Sequence, residues 1–577
     1  MCVLPFLNPI HREPIPSFIS EWLAALLAFF AVAPLFSKRL WNFAAVPRAV
    51  VVPLGLVFLL LVQMVIEPPA HIAFPLLAIG YLLAAVLLMI LGASLRCQLN
   101  EKELVHALAV ALALGGIANA SIALLQALKL AAPFGRLIAP GGTVFGNIAQ
   151  ANHLCDFLAL AIASTIYLLA VHHRNRGLLA VGLAAIALEL LALALSASRA
   201  SFLYLGAATA GALFLHRRHP DYVTRRTLIL AVASATAFIA IQPFVSELIA
   251  YFTQGNVAQL PTSSGERLFH EVKGYTVRLR VWYEAVLMFL QSPWLGIGFG
   301  EFAWHHFLIA QSLPLAHDNA PFSIFNNAHN LPLHLLAELG IGAWVILGSG
   351  GFMVVRQTLS EPATPERWWI YLLLTVIGIH SMLEYPLWYF FFLAITAVLF
   401  GVADPKPWRG DVLVHQGRRV LLPVFVALGA FFVHVTDSYI KVEVVMAMVS
   451  AKLVHQADVP LVEATLQQLR HGSIMAPYAE QTYERDLSIK ASGNLDPEID
   501  LSRNVMQFWP SADVIAKHVV LLALNRQENE AKKLLNHGRA AFPDFDALVR
   551  GNLAMVPAAD AGAIAGMVNA GAGAKAP

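Results

Sequence analysis

Charge is what this chain has least of. Of its 577 residues only 13% are Asp, Glu, Lys or Arg, about half the share carried by a soluble globular protein. Together with 58% hydrophobic residues and a mean hydropathy of +0.66, that scarcity excludes a soluble globular enzyme and a disordered scaffold. Cysteine is nearly missing as well. Cys2, Cys97 and Cys155 lie in or beside apolar runs, too few for a disulfide framework and poorly placed for redox work. A net charge of only +2 argues against nucleic acid as a partner.

Long apolar runs are abundant instead. A membrane-crossing helix needs about 20 mostly apolar residues. About twelve runs approach that length, over 17–36, 49–66, 72–92, 104–128, 150–171, 177–195, 200–216, 227–246, 331–355, 368–384, 386–402 and 420–437. The expectation is an all-α polytopic membrane protein. The first run has no basic segment before it and no small-residue cleavage site after it, so it reads as an anchor and not a removed leader.

Lysine and arginine bias orients the spans. One alternate set of connections carries seventeen, from Lys38 to Arg419, whereas the opposite set of short connections carries Arg12, Lys129, Arg136 and Arg199. The richer set is expected in the cytoplasm. The other side then receives 129–149, 196–200, a large loop over 247–330, the turn at 385 and everything after 438. Beyond 438 charges return, and amphipathic periodicity replaces solid apolar runs. Ala512 to Phe545 reads as a helical hairpin turning at Asn525-Arg526-Gln527, spaced like a tetratricopeptide unit. The expected organisation is a membrane body over 1–437, a helical domain outside the cytoplasm over 438–557, and an Ala/Gly tail over 558–577.

Polar groups at the mouth of a span are costly and each needs a reason. Gly146-Asn147 through Gln150, Asn152 and His153 opens one span; capping by Asn147 is the plain alternative to a binding role. Ser196-Ala197-Ser198-Arg199 forces an arginine to the interface, where snorkelling is the alternative. Arg278, Arg280 and Trp282 share an amphipathic helix that leads to Pro293-Trp294-Leu295-Gly296-Ile297-Gly298-Phe299-Gly300. Those glycines admit either close approach of a ligand or a plain turn, and no phosphate-loop pattern surrounds them. Ala328-His329-Asn330-Leu331-Pro332 puts His329 just before a helix start, where the helix dipole favours a neutral imidazole able to act as base. His334 and Glu338, four apart, read as a structural pair. Glu384, in His380 to Tyr389, needs a partner such as an arginine, while Tyr385 and its aromatic neighbours suit an interfacial belt.

All five motifs fall on the side that the charge bias places outside the cytoplasm. Arginines, a basic histidine, a carboxylate and amide donors in one place suit a phosphate-bearing lipid and an incoming nucleophile.

From Thr143 to Trp388 the sequence resembles the O-antigen ligase and polymerase superfamily, and most closely its protein O-oligosaccharyltransferase (pilin glycosylation ligase) branch. The resemblance is carried by Gly146-Asn147…Gln150…Asn152-His153, Ser196-Ala197-Ser198-Arg199, Arg278 four before Trp282, Ala328-His329-Asn330-Leu331 with Glu338 and Gly340, and Leu383-Glu384-Tyr385-Pro386-Leu387-Trp388. Ala151 stands where that opening often has proline. The resemblance implies transfer of a preassembled glycan from undecaprenyl pyrophosphate to a Ser or Thr hydroxyl of a periplasmic protein such as pilin. The chemistry would proceed at the periplasmic face of the inner membrane, with no cofactor or metal. It also implies His329 as the catalytic base and Arg199 and Arg278 on the pyrophosphate, with Arg280 assisting. Gln150, Asn152, His153, Asn330 and Tyr385 would bind or position substrate, and Glu384 would orient an arginine. The histidines lack metal-ligand spacing. Ligation to lipid A-core and glycan polymerisation are the alternatives within the superfamily, and the extra domain after 438 favours a protein acceptor. A lipid-linked sugar transporter would need polar groups along the membrane depth and internal repeats, whereas here the ionisable groups gather at one face.

Overall fold

Apolar runs without water to bond their peptide groups have one inexpensive conformation, the α-helix, because it satisfies its own N–H and C=O groups. The computed structural model describes all residues except 141–143, 173, 175, 253–272, 310–322, 411–415, 452, 456, 487–493 and 557–577. The described residues form helices and no strand; one isolated bridge joins Val46 to Trp408. The tail expected over 558–577 lies outside the described residues, as do parts of the 247–330 loop.

Eight described helices are long and apolar enough to cross a membrane: Phe18–Phe36, Arg48–Ile66, Ala73–Gln98, Glu101–Ala127, Ala151–Val171, Arg176–Leu195, Tyr222–Tyr251 and Arg418–Ser450. The chain is a multi-pass membrane protein. Each of the eight coincides with an expected run. The other four expected runs are helical but fall short by that measure. Ala200–Arg218 ends in His216, Arg217 and Arg218, while Pro365–Ser381 and Phe390–Ala403 have only 17 and 14 residues.

The run 331–355, expected as one span, is two helices. Leu331–Leu339 stops at Gly340, whose φ of +70° no L side chain adopts easily, and Ile341–Ser360 starts afresh. Packing explains the break. A Cβ on Gly340 would sit 2.5 Å from the Trp294 carbonyl oxygen, and one on Gly296 would sit 2.2 Å from the Glu338 carbonyl carbon. The Pro293–Gly300 stretch is laid directly on the backbone of the short helix, with Ile297 donating to the Ala337 carbonyl at 2.9 Å and Ile341 to that of Pro293 at 2.9 Å. Gln63 clamps the same stretch, donating to the carbonyls of Leu295 and Glu338 and accepting from the Phe299 N–H. The glycines therefore serve close backbone packing within the protein.

Four helices position the site. They are labelled α1 (Ala151–Val171), α2 (Lys273–Gln291), α3 (Leu331–Leu339) and α4 (Pro365–Ser381). α1 is the most enclosed of the crossing helices, buried along nearly its whole length.

The 437/438 boundary falls inside the continuous helix Arg418–Ser450, so the membrane body and the C-terminal helices share an element. The hairpin forms as the periodicity requires: Ala512–Leu524 and Glu528–Ala541 turn through Asn525, Arg526 and Gln527, with Arg526 at φ +60°. Its apolar stripe (Val519, Leu522, Ala531, Leu535) builds a separate core that also takes in Phe307 from the loop helix Phe302–Ile309. The C-terminal helices thus rest on the large loop.

Candidate active site

The segment before α3 explains how its histidine is held. Asn330 caps the helix, its side-chain oxygen accepting from the Leu333 N–H at 3.1 Å, and Pro332 occupies the first turn where no donor is needed. The Asn330 amide also donates to the Met382 carbonyl at 3.1 Å, tying the helix start to the turn after α4. One residue earlier, His329 adopts φ +48°, a left-handed conformation uncommon away from glycine. Its N–H donates to the Asn327 side chain at 2.9 Å, which holds the conformation in place. Strain of this kind persists where surrounding contacts over-determine it.

The imidazole meets Glu384. His329 Nδ1 lies 2.7 Å from Glu384 Oε2, while Glu384 Oε1 accepts from Arg278 Nη2 at 2.7 Å and from Asn152 Nδ2 at 2.8 Å. Four segments far apart in sequence converge on one carboxylate: α1 through Asn152, α2 through Arg278, the entry to α3 through His329, and the turn after α4. The Glu384 side chain is only 6% exposed, against 29% for Arg278 and 25% for His329. Burial by itself would raise the Glu384 pKa. The hydrogen bond and charge of His329, with the charge of Arg278, outweigh it and hold the group below its ordinary value.

An ionised carboxylate only accepts. His329 Nδ1 therefore carries a proton toward Glu384, and in the neutral imidazole Nε2 is the nitrogen that holds the lone pair. Among the described residues nothing bonds to that Nε2. Tyr385 packs its ring 5.7 Å from the imidazole and 5.8 Å from Tyr389. Burial, only partly offset by its hydrogen bonds, pushes the Tyr385 hydroxyl up, which keeps it a neutral donor.

The remaining candidates divide. Arg199 opens the helix Ala200–Arg218, half-buried, and its neighbour Ser198 bonds Cys155, one turn along α1 from Asn152. Gln150 is the half-buried cap residue of α1, without a side-chain capping bond. His153 is 2% exposed and packed among Tyr389, Phe392 and His380 at 4.5–5.6 Å between ring centres, so it belongs to the helix interior and not to the Glu384 cluster. Asn330 is occupied as cap and tether. Arg280 turns away from Glu384, its Nε donating to Glu284 Oε1 at 3.0 Å. Asn147 is no cap: its side chain donates to the Leu7 and Leu137 carbonyls and accepts from the Ala139 N–H. His334 and Glu338 do pair, at 3.2 Å, deep in the protein.

Sequence reasoning passed over Asn327, Glu284 and His306. Glu284 and His306 are 0% and 2% exposed and bonded at 2.5 Å. Their signal was slight: a carboxylate on the inner face of an amphipathic helix, and a histidine flanked by Phe302, Phe307 and Ile309. Among the described residues no three His, Cys, Asp or Glu side chains gather as metal ligands would. The sequence does contain one Asp-x-Asp, at Asp544-Phe545-Asp546, but Asp546 is engaged by Arg539 at 2.7 Å and Phe545 is core.

Comparison with known proteins finds three families that match stretches of the chain. The family described as O-Antigen ligase matches residues 183–348, the Protein glycosylation ligase family matches 144–169, and the family described as Virulence factor membrane-bound polymerase, C-terminal, matches 368–551. The chain is 27% identical over 417 residues to a General O-oligosaccharyltransferase of Acinetobacter baylyi, an alignment covering 70% of this chain and 68% of that protein. Asn152 falls in the first of these windows along the chain, Arg278 and His329 in the second, and Glu384 in the third.

Proposed function

The chain belongs to the O-antigen ligase superfamily, and from that premise we propose that it is a protein O-oligosaccharyltransferase. It moves a preassembled oligosaccharide in one piece from undecaprenyl pyrophosphate to a Ser or Thr hydroxyl of a periplasmic protein such as pilin. The reaction runs at the periplasmic face of the inner membrane. The match of residues 144–169 to the Protein glycosylation ligase family supports the protein acceptor.

The observation that carries this reading is the His329–Glu384 bond, because it fixes which imidazole nitrogen holds the proton. His329 Nε2 takes the proton of the acceptor hydroxyl as the oxygen attacks the anomeric carbon. The bond from that carbon to the pyrophosphate oxygen breaks, and the pair of electrons leaves with undecaprenyl pyrophosphate. Attack opposite the leaving group inverts the anomeric centre. Arg278, oriented by Glu384, and Arg199 stabilise the developing phosphate charge, as preorganised donors do most effectively in a water-poor site. General-base help of this type contributes about 10²- to 10⁴-fold.

The test is transfer in cells that supply a lipid-linked oligosaccharide, scored in parallel on a pilin-type protein and on lipid A-core, for wild type and His329→Ala. A glycosylated pilin that disappears in the variant supports the reading. Transfer to lipid A-core alone moves the chain to the O-antigen ligase activity with the same base. The polymerase C-terminal match favours a further outcome, lengthening of the lipid-linked glycan without either acceptor, which would replace the protein ligase.

A further inference from the structure

α2 carries two arginines two residues apart, and each is bonded to a glutamate that is itself bonded to a histidine. One set is Arg278–Glu384–His329. The other is Arg280–Glu284–His306, with Arg280 Nε to Glu284 Oε1 at 3.0 Å and His306 Nδ1 to Glu284 Oε2 at 2.5 Å. The composition is the same but the wiring differs at the histidine. In the second set the imidazole is also engaged at its other nitrogen, Nε2 lying 3.0 Å from the Ser323 carbonyl oxygen. A carbonyl only accepts, so Nε2 carries a proton, and one further proton lies between Nδ1 and Glu284. His306 has no lone pair to offer. It works as a clamp.

What it clamps is the segment leading to His329. Ser323 is six residues before His329, and Phe325 lies between the two histidines, its ring 5.6 Å from His306 and 5.7 Å from His329, edge-on to both. From there Asn327 takes the N–H of His329 in its left-handed conformation. We infer that the buried Glu284–His306 pair is a positioning device for the transfer reaction, fixing residues 323–329 so that His329 Nε2 faces the acceptor hydroxyl. This rests on the functional reading above. Arg280 is part of the clamp, bonding the other oxygen of the fully buried Glu284 from a side chain that is itself 26% exposed. A displacement of about 1 Å at a reacting group costs up to about 10²-fold in rate, so the anchor matters although it touches no substrate.

The experiment uses the full chain in lipid nanodiscs, comparing wild type, His306→Phe and His306→Gln. Phe fills the space but makes neither bond; Gln can still donate to the Ser323 carbonyl. Amide hydrogen exchange is followed over 323–330, and transfer rate per folded molecule is measured alongside donor affinity. The expected result is faster exchange at 323–330 in His306→Phe, a rate about tenfold or more below wild type, and donor affinity within about twofold. His306→Gln should recover most of both losses. Unchanged exchange in His306→Phe overturns the clamp. Faster exchange with an unchanged rate per folded molecule overturns its positioning role, and loss of donor affinity instead of rate shows that the pair serves donor binding and overturns it too. Faster exchange in an enzyme whose wild type transfers no glycan would uphold the clamp and remove the functional reading.

Discussion

Glu384 accepts from His329 on one carboxylate oxygen and from Arg278 on the other, both at 2.7 Å. One buried charge thus orients an imidazole and a guanidinium. Replacing it with the neutral isostere is informative because an amide cannot accept at both ends. Glu384→Gln should lower transfer about 10²-fold and destabilise the protein by about 3 kcal/mol, as expected when one member of a buried ion pair is lost. Transfer rate and thermal unfolding of the purified chain measure the two effects.

The pH dependence of that stability has a definite sign. The Glu384 pKa is depressed below its ordinary 4.5, so its contribution is complete above about pH 4.5 and is lost as the pH falls through the depressed value. The difference in Tm between wild type and Glu384→Gln should be flat from about pH 5 to 7 and shrink below about pH 4.5. A difference that instead grew on acidification would show that Glu384 is protonated in the native state.

Arg278→Lys should behave almost as badly as Arg278→Ala. Lysine keeps the charge but loses the planar fork that can bond Glu384 through one nitrogen and phosphate through others. Steady-state transfer with varied lipid-linked donor should show the loss mainly in kcat/KM, by about 10²-fold in both variants.

Gly296→Ala tests the backbone contact that breaks the 331–355 run. The added methyl would fall 2.2 Å from the Glu338 carbonyl carbon at φ +74°, and neither backbone can yield cheaply. A cost of about 3 kcal/mol is expected from strain and overpacking together. Gly348→Ala, in the helix Ile341–Ser360 with open space around the new methyl, is the control: it should be neutral or stabilising by up to about 1 kcal/mol. The folded fraction recovered in detergent reads both.

The C-terminal helices should loosen in mild acid. His518 is buried beside Ser502 at 2.5 Å, and burial lowers its pKa from 6.5 to about 4. Stability is full above about pH 6.5 and declines as the pH falls toward 4, by up to about 3 kcal/mol. Hydrogen exchange over residues 496–524 should rise across that window, and His518→Gln should flatten the rise.

Much of this was legible in the sequence, for identifiable reasons. Helix starts and stops written in local chemistry came through: Pro332 in the first turn after His329, and the hairpin turn at Asn525-Arg526-Gln527. The need of Glu384 for an arginine was legible because an interfacial carboxylate is costly alone. Which arginine it takes was not, since Arg278 and Arg280 are near neighbours and only the helix rotation against α3 separates their partners. The Gly340 break was hidden by continuous hydrophobicity across Leu339 and Ile341, because the contact that demands it comes from the backbone of Pro293 and Trp294, more than 40 residues earlier in the chain. His153 shared a motif with Asn152 and was read with it, yet successive helix positions point about 100° apart, and only Asn152 faces Glu384.

The central claim is that His329 is the base of glycan transfer to a protein hydroxyl. The most direct measurement is single-turnover transfer by the purified full chain from a lipid-linked oligosaccharide to an acceptor protein, comparing wild type with His329→Ala, with donor binding measured on both. The account predicts transfer by wild type, a drop of at least about 10²-fold in the variant, and donor affinity little changed. Wild-type transfer by His329→Ala would contradict it.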